Sequence, residues 1–259
     1  MKKILLLITL ALTFNCFRAQ TLRMGPFLSY NYTSLTNNNV TNLGTQLGYL
    51  PTYCWSFGAT GVYNLDGSLL GFEGGLIYAS HNQNYLGTEI TGPGTYYQIS
   101  VQTKLKYLDI PILFRVGDII GFHGEIGPQF SFLMSSNCSV SYDPSDSLHL
   151  ASSGEYGGDF SGFGFSGVLG GGFTFLVGKT AFLDFGVRLS YGFTDVTNQF
   201  NQGDSAVHSF TGTYANYTKF NYNSTNNFGY ASTSRISYGL YFTLTFLVEG
   251  DTKFNKRFR

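Results

Sequence analysis

The chain has 259 residues, of which 12% are charged and 17% aromatic, with 15 Lys+Arg balanced by 15 Asp+Glu. That balance excludes a nucleic-acid binder, which needs surplus cations to displace counterions from phosphates. So much aromatic surface excludes a disordered chain, and Gly at 33 against Pro at 6 favours tight turns and close-packed strands over a proline-rich linker.

Residues 1–19 read as a signal peptide, with Lys2 and Lys3 as the positive region and Ile4 to Phe14 as an apolar run too short to span a bilayer. Cleavage after Ala19 leaves Gln20 at the mature N-terminus. A lipoprotein would use Cys16, but Thr13, Phe14 and Asn15 do not form the small apolar lead-in that lipidation uses. No later segment is apolar for long enough to be a transmembrane helix, so membrane residence must come from strands.

The mature chain, 20–248, is a succession of strand-like segments. They fall near Leu22–Tyr32, Tyr53–Asn64, Leu69–His81, Val101–Val116, Gly121–Ser135, Gly162–Val177, Leu183–Phe193 and Arg235–Phe246. The last is the clearest. Ile236, Tyr238, Leu240, Phe242, Leu244 and Phe246 share one face, and Arg235, Ser237, Gly239, Tyr241, Thr243 and Thr245 share the other. Short connections at Asp66-Gly67, Gly117-Asp118 and Gly178-Lys179 alternate with long ones at Thr33–Thr52, Asn82–Ser100, Ser136–Ser161 and Thr194–Ser234. Outer-membrane barrels sort their loops in this way, with short periplasmic turns and longer extracellular loops. The expectation is an all-β, antiparallel up-and-down transmembrane barrel of about eight strands in the outer membrane. A basic tail, 249–259, follows it.

If the apolar face meets lipid, parity points Arg23, Glu73, Asp109, Arg115, Glu125, Asp184, Arg188 and Arg235 into the lumen. An interior of about eight strands is only wide enough to be filled by side chains. These residues are therefore expected to form a lumen ionic network, since buried charges are tolerable when paired. Tyr30, Tyr32, Tyr53, Trp55, Tyr63, Tyr78, Tyr107 and Tyr191 crowd the strand ends, as an interfacial aromatic girdle would.

The segment Lys106-Tyr107-Leu108-Asp109-Ile110-Pro111-Ile112-Leu113-Phe114-Arg115 resembles a strand motif of the outer-membrane β-barrel family common in Bacteroidota, often labelled PorT-like or porin-like. In that family the strand reads Tyr-Leu-acidic-Ile-Pro-x-Leu followed by a basic residue. The resemblance implies a small exported barrel and no particular activity. Pro111 inside a strand suggests a bulge. Unlike many such barrels, this chain continues past its last aromatic strand position, Phe246, into the tail.

Several sites stand out as candidates. Cys54 and Cys138 remain after signal removal, and export makes a disulfide between them chemically feasible. The last long loop carries Phe210, Tyr214, Tyr217, Phe220 and Tyr222, rings that could stack on a surface glycan or meet a protein partner. Ser147 and Ser205 lie in Asp-Ser-apolar patterns like the O-glycosylation pattern found in Bacteroidota. Gly170-Gly171-Gly172 reads as a place of close chain approach. His81, His123 and Glu125 form no nucleophile–base–orienter set, so no catalytic residue is assigned. Nothing suggests a metal or cofactor site. The reading is a non-enzymatic barrel embedded in outer-membrane lipid, with surface loops for partner binding or envelope structure. A narrow pore or small-solute transporter is the alternative, followed by a lipid-modifying enzyme and then by a soluble ligand-binding barrel with its faces inverted.

Overall fold

The structure, a computed structural model, describes residues 21–38, 47–65, 69–92, 95–143, 152–155, 160–197 and 232–249. Segments 1–20, 198–231 and 250–259, and with them the signal peptide, the tail, the five loop aromatics and Ser205, lie outside the described residues, as do Ser147 and the Asp66-Gly67 turn.

Ten strands follow one another: β1 Thr21–Thr36, β2 Leu47–Leu50, β3 Thr52–Asn64, β4 Leu70–Gly92, β5 Thr95–Gly117, β6 Gly121–Asp143, β7 Ser152–Glu155, β8 Phe163–Val177, β9 Ala181–Gly192 and β10 Ser234–Glu249. Eight of them close a ring in the order β1-β3-β4-β5-β6-β8-β9-β10. The seam is β1 against β10, antiparallel from Thr36↔Ser234 to Leu22↔Glu249. Closure satisfies the backbone on both edges of every wall strand, which a strand crossing lipid requires. The short strands β2 and β7 pair outside the ring, with β4 and β6 respectively.

Alternation sets the two faces. Along β10, Arg235, Ser237, Tyr241, Thr243 and Thr245 are buried, while Tyr238, Leu240, Phe242, Leu244 and Phe246 are exposed. Leu28, Phe57, Leu76, Ile126, Leu169 and Val187 continue that apolar outer face around the ring. A continuous apolar wall around a polar interior suits a bilayer, because in water the same sequence would have to put its apolar face inward.

The short connections lie at one end of the barrel. Gly178 has φ +73° and Gly117 φ +147°, backbone that side-chain-bearing residues rarely adopt, which is why glycine stands at these turns.

Three sequence expectations change. The stretches 82–92, 95–100 and 136–143 are strand rather than loop, because β4, β5 and β6 each run for 23 residues. Alternation continues there, as buried His81, Gln83 and Tyr85 show, but apart from Leu86 the outer positions are mostly polar, with Asn82, Asn84, Asn137, Ser139 and Ser141 in place of Leu and Phe. The polar outer residues gave the segment a loop-like composition. Pro111 breaks the β4–β5 ladder without shifting its register. The register shift lies instead between Lys106 and Tyr107 on the β5–β6 edge, where β6 holds an extra residue at Met134. Finally, Tyr107 is buried in the lumen rather than in the girdle, since it shares parity with Asp109.

The long strands give the barrel a tall side. At about 3.3 Å per residue, a strand of 23 residues is about 75 Å long. Tilted by about 40° it rises about 55 Å, roughly twice the ~25 Å apolar band of an outer-membrane barrel. The 12-residue β9 is near the length needed to cross that band.

Replacing the lipid-facing Phe242 by Arg is expected to cost about 2–4 kcal/mol in urea unfolding of the micelle-embedded barrel. Ser141→Arg, on the outer face of the tall wall, should change stability by less than about 0.5 kcal/mol. Equal losses at the two positions would mean that the apolar face does not meet lipid.

Candidate functional site: the lumen

The interior is built from side chains that alternation delivers from every wall strand. Its lower part, towards the short turns, centres on Asp184 of β9. Arg23 of β1 donates to both of its oxygens at 3.3 Å, and Arg115 of β5 and Thr174 of β8 donate to Oδ1 at 2.5 and 2.6 Å. Arg115 also reaches Glu73 Oε2 at 3.5 Å and Thr174 Oγ1 at 2.7 Å. Glu73 accepts from Arg188 at 2.6 Å and from Thr60 at 3.0 Å. Arg188 then bridges to Glu125 through two nitrogens, Nε on one oxygen and Nη2 on the other at 2.9 Å. Three guanidinium groups therefore face three carboxylates, and the network crosses the lumen from strand to strand.

Hydrogen-bond direction orients the histidine in this group. Arginine can only donate, so the 2.8 Å contact between Arg115 Nη2 and His123 Nδ1 makes Nδ1 the acceptor. Nε2 is then the N–H that donates to the Tyr241 hydroxyl at 2.8 Å. The Tyr241 ring supports the guanidinium of Arg188, 4.3 Å above its centroid, and Phe182 supports Arg23 at 4.9 Å.

A second group lies higher. Arg235 of β10 is 3.9 Å from Asp109 of β5, donates to Ser131 and Ser166 at 2.7 and 3.3 Å, and covers the Tyr107 ring at 4.7 Å. His81 Nε2 contacts Asp109 at 3.2 Å. Between the two groups lies a cavity of about 50 Å³ lined by Ser29, Asn31, Ser56, His81, Gln129 and Ser237 among others. It has space for a few waters. Above it the inward face is mixed, with Leu35, Tyr85, Val101 and Leu105 buried beside Gln83, Thr103 and Ser136.

All eight expected lumen residues thus point inward, in two groups bridged by Arg188 and the cavity it lines. The sequence reading did not include His123, Tyr241, Thr174 and Thr60 in the ionic network, and they complete the lower group. Their inward parity was readable, but a neutral side chain gives no hint of which charge it serves. Inward glycines offered another signal. A Cβ on Gly172 would lie 2.6 Å from the Tyr241 hydroxyl and 3.0 Å from His123, and one on Gly186 would lie 2.8 Å from the Tyr241 ring. A Cβ on Gly170 would strike the Glu125 carboxylate. Strands β8 and β9 give up side chains where those of other strands must lie.

Within the lower group, His123 is completely buried and held by Arg115 and Tyr241, and a serine nucleophile is not among its hydrogen-bond partners. Among the described residues no group of three or more His, Cys, Asp or Glu could hold a metal ion. The disulfide that export would permit does not link Cys54 to Cys138. Both are buried, on β3 and β6, which are not neighbours in the ring, and they lie beside Thr33 at 3.5 Å and Thr103 at 3.8 Å.

The chain belongs to a family described as outer membrane protein beta-barrel domain, whose model matches residues 18–198. It is an outer-membrane protein. No curated protein matches it. Among solved structures it is similar to Neisserial surface protein A, at 14% identity and TM-score 0.28, covering 85% of this chain and 95% of that one. It is also similar to Ail of Yersinia pestis, solved with the heparin analogue sucrose octasulfate, at 11% identity and TM-score 0.35, covering 87% and 99%. A third is OprG of Pseudomonas aeruginosa, at 11% identity and TM-score 0.29, covering 90% and 98%.

Asp184→Ala is expected to cost about 3–5 kcal/mol in urea unfolding, because it strands Arg23 and Arg115 inside the barrel. Replacing Arg23 and Asp184 together by Met and Leu should recover part of that loss. A near-zero cost for the single change would show that Asp184 does not organise the lumen.

Proposed function

We propose that this member of the outer membrane protein beta-barrel domain family is a non-conducting, non-enzymatic barrel that presents a surface for partner binding or envelope structure. The observation that carries this reading is the filled lumen. Four arginines and four carboxylates meet across it, and Tyr241, Tyr107, Phe182 and Leu113 occupy space between them. A conducting pore needs a continuous wet path, and the space between the two ionic groups is a cavity of only about 50 Å³. Enzymatic work on lipid would need reactive groups at the outer wall, which carries apolar side chains through the bilayer band.

The tall wall supports the surface role. β4, β5 and β6 run far past the length needed to cross lipid, with β2 and β7 as flanking strands, and together they form a structured sheet beyond the membrane. The loop segment that carries Phe210, Tyr214, Tyr217, Phe220 and Tyr222 joins β9 to β10 at the same end. We assign that end to the cell exterior, residues 1–19 to a cleaved export signal, and the Lys106–Arg115 motif to the Bacteroidota group it resembles. A surface glycan or a protein is the partner these rings suit.

Two measurements test this reading. Purified protein in planar bilayers should give no stable unitary conductance, whereas a variant with Glu73, Arg115 and Arg188 all changed to Ala, if it folds, should give openings. Steady conductance from the unaltered barrel would favour the pore reading. On glycan and protein arrays, removal of residues 198–230 should abolish any signal from the nanodisc-embedded barrel without altering its heat-dependent mobility in SDS. Full binding after that deletion would reject the loop as the partner surface.

A further inference from the structure

The chain sorts its cations. Among the described residues the arginines Arg23, Arg115, Arg188 and Arg235 all sit in the lumen, while the lysines are Lys104, Lys106 and Lys179, all outside it. Lys179 lies in the short β8–β9 turn. The other two stand on β5, two positions apart on its outward face, and both are exposed.

Their height along the strand is informative. Immediately below Lys106, the outward position on β5 is Leu108, flanked across the ladders by Tyr78 of β4 and Phe132 of β6. At Lys106 the flanking residues become Ser80 and Ser135, and at Lys104 they become Asn82 and Asn137. The apolar band ends between Leu108 and Lys106, so the pair stands where lipid headgroups begin. Neither lysine has an ion-pair partner among the described residues. Above them, Gln102 donates to Asn84 at 3.0 Å, which leaves the neutral amides engaged with each other. The next acid on the outward face of β6, Asp143, is six positions beyond Asn137, about 20 Å away. Glu155 of the short β7 stands at register with Asn137, one strand further round the wall.

We infer that Lys104 and Lys106, with Ser80, Asn82, Ser135 and Asn137 around them, form a docking site on the outer wall for the phosphate group of an acidic lipid in the surrounding leaflet. Lysine suits this place. Its long stem can lie along Leu108 while the ammonium stays at headgroup level, and its point charge meets a phosphate without a fixed geometry. Two cations two residues apart on one strand face lie about 7 Å from each other, a separation that one headgroup can bridge. Cationic residues at a membrane surface attract anionic lipid, and the attraction adds over residues. The serine and asparagine side chains add neutral donors beside the charges. The inference rests on the outer-membrane location and holds whether or not the loops bind a partner.

Native mass spectrometry of the folded, full-length protein with diphosphoryl lipid A tests it. The unaltered barrel should retain the lipid, and K104Q/K106Q should lower apparent affinity by about tenfold or more. K104R/K106R should retain it, K179Q should behave as the parent, and E155Q should not weaken binding. Each lysine variant should keep its heat-dependent mobility, because Lys104, Lys106 and Lys179 are exposed outside the lumen. Equal retention by K104Q/K106Q would overturn the site, as would equal retention of phosphate-free lipid A by the parent. Displacement of the lipid by millimolar inorganic phosphate would overturn the assignment to a lipid in favour of a free-anion site.

Discussion

The seam between β1 and β10 is the constraint on which the rest of the molecule depends. It pairs the ends of the described barrel from Leu22 to Thr36, interrupted at Gly25 and Pro26, and without it two strand edges would face hydrocarbon with unpaired amides and carbonyls. Closing at eight strands then fixes the interior at a width that side chains must fill. The lumen network follows from that narrowness. A few residues from each wall strand meet near one axis, and the polar face of the alternation brings charge there. The arrangement is tolerable because each carboxylate in the lower group has guanidinium partners and the charges balance.

Arginine does this work better than lysine would. Asp184 binds Arg23 through two nitrogens, and Arg188 reaches Glu73 and Glu125 from one planar group while lying over the Tyr241 ring. A lysine ammonium cannot present that fork or stack in that way. Space for the large groups comes from the wall itself. Gly170, Gly172 and Gly186 face the places taken by Glu125, His123 and Tyr241. The glycine run in β8 is thus the complement of Glu125 and His123 on β6 and of Tyr241 on β10.

Much of this was legible in the sequence, and the limits have physical causes. Period-2 alternation carried the wall strands and the inward set, because a one-residue slip would reverse every face. Arg235 to Phe246 could be read position by position. The extension of β4–β6 was not legible, because polar residues on both faces of a strand look like a loop once there is no lipid to demand apolar ones outside. Tyr107 went to the wrong surface on composition, although parity with Asp109 already placed it inside. The pairing within the lumen was also beyond reach. Arg115 lies on β5 and Asp184 on β9, which are separated in the ring by β6 and β8, and no local spacing encodes a contact across the barrel. The lack of a disulfide between Cys54 and Cys138 belongs here too, since two more strand positions across a barrel carry no signature of pairing.

The two sides of the barrel have separate physical tasks, and this bears on how a filled barrel can have a function. The low side, β8, β9, β10 and the lower part of β1, is matched to the bilayer and supplies seam, glycine space and lipid contact. The tall side, β4, β5 and β6, shares the same lumen below and becomes a free-standing sheet above. Because the long strands are continuous from one region to the other, the network that locks Glu73, Arg115 and Glu125 near their lower ends also fixes the orientation of the upper sheet. A surface held in this way loses little conformational entropy when it meets a partner. On this account the ionic core and the outer surface form one device. Paired charges inside make the wall rigid, and that rigidity is what the part above the membrane can use.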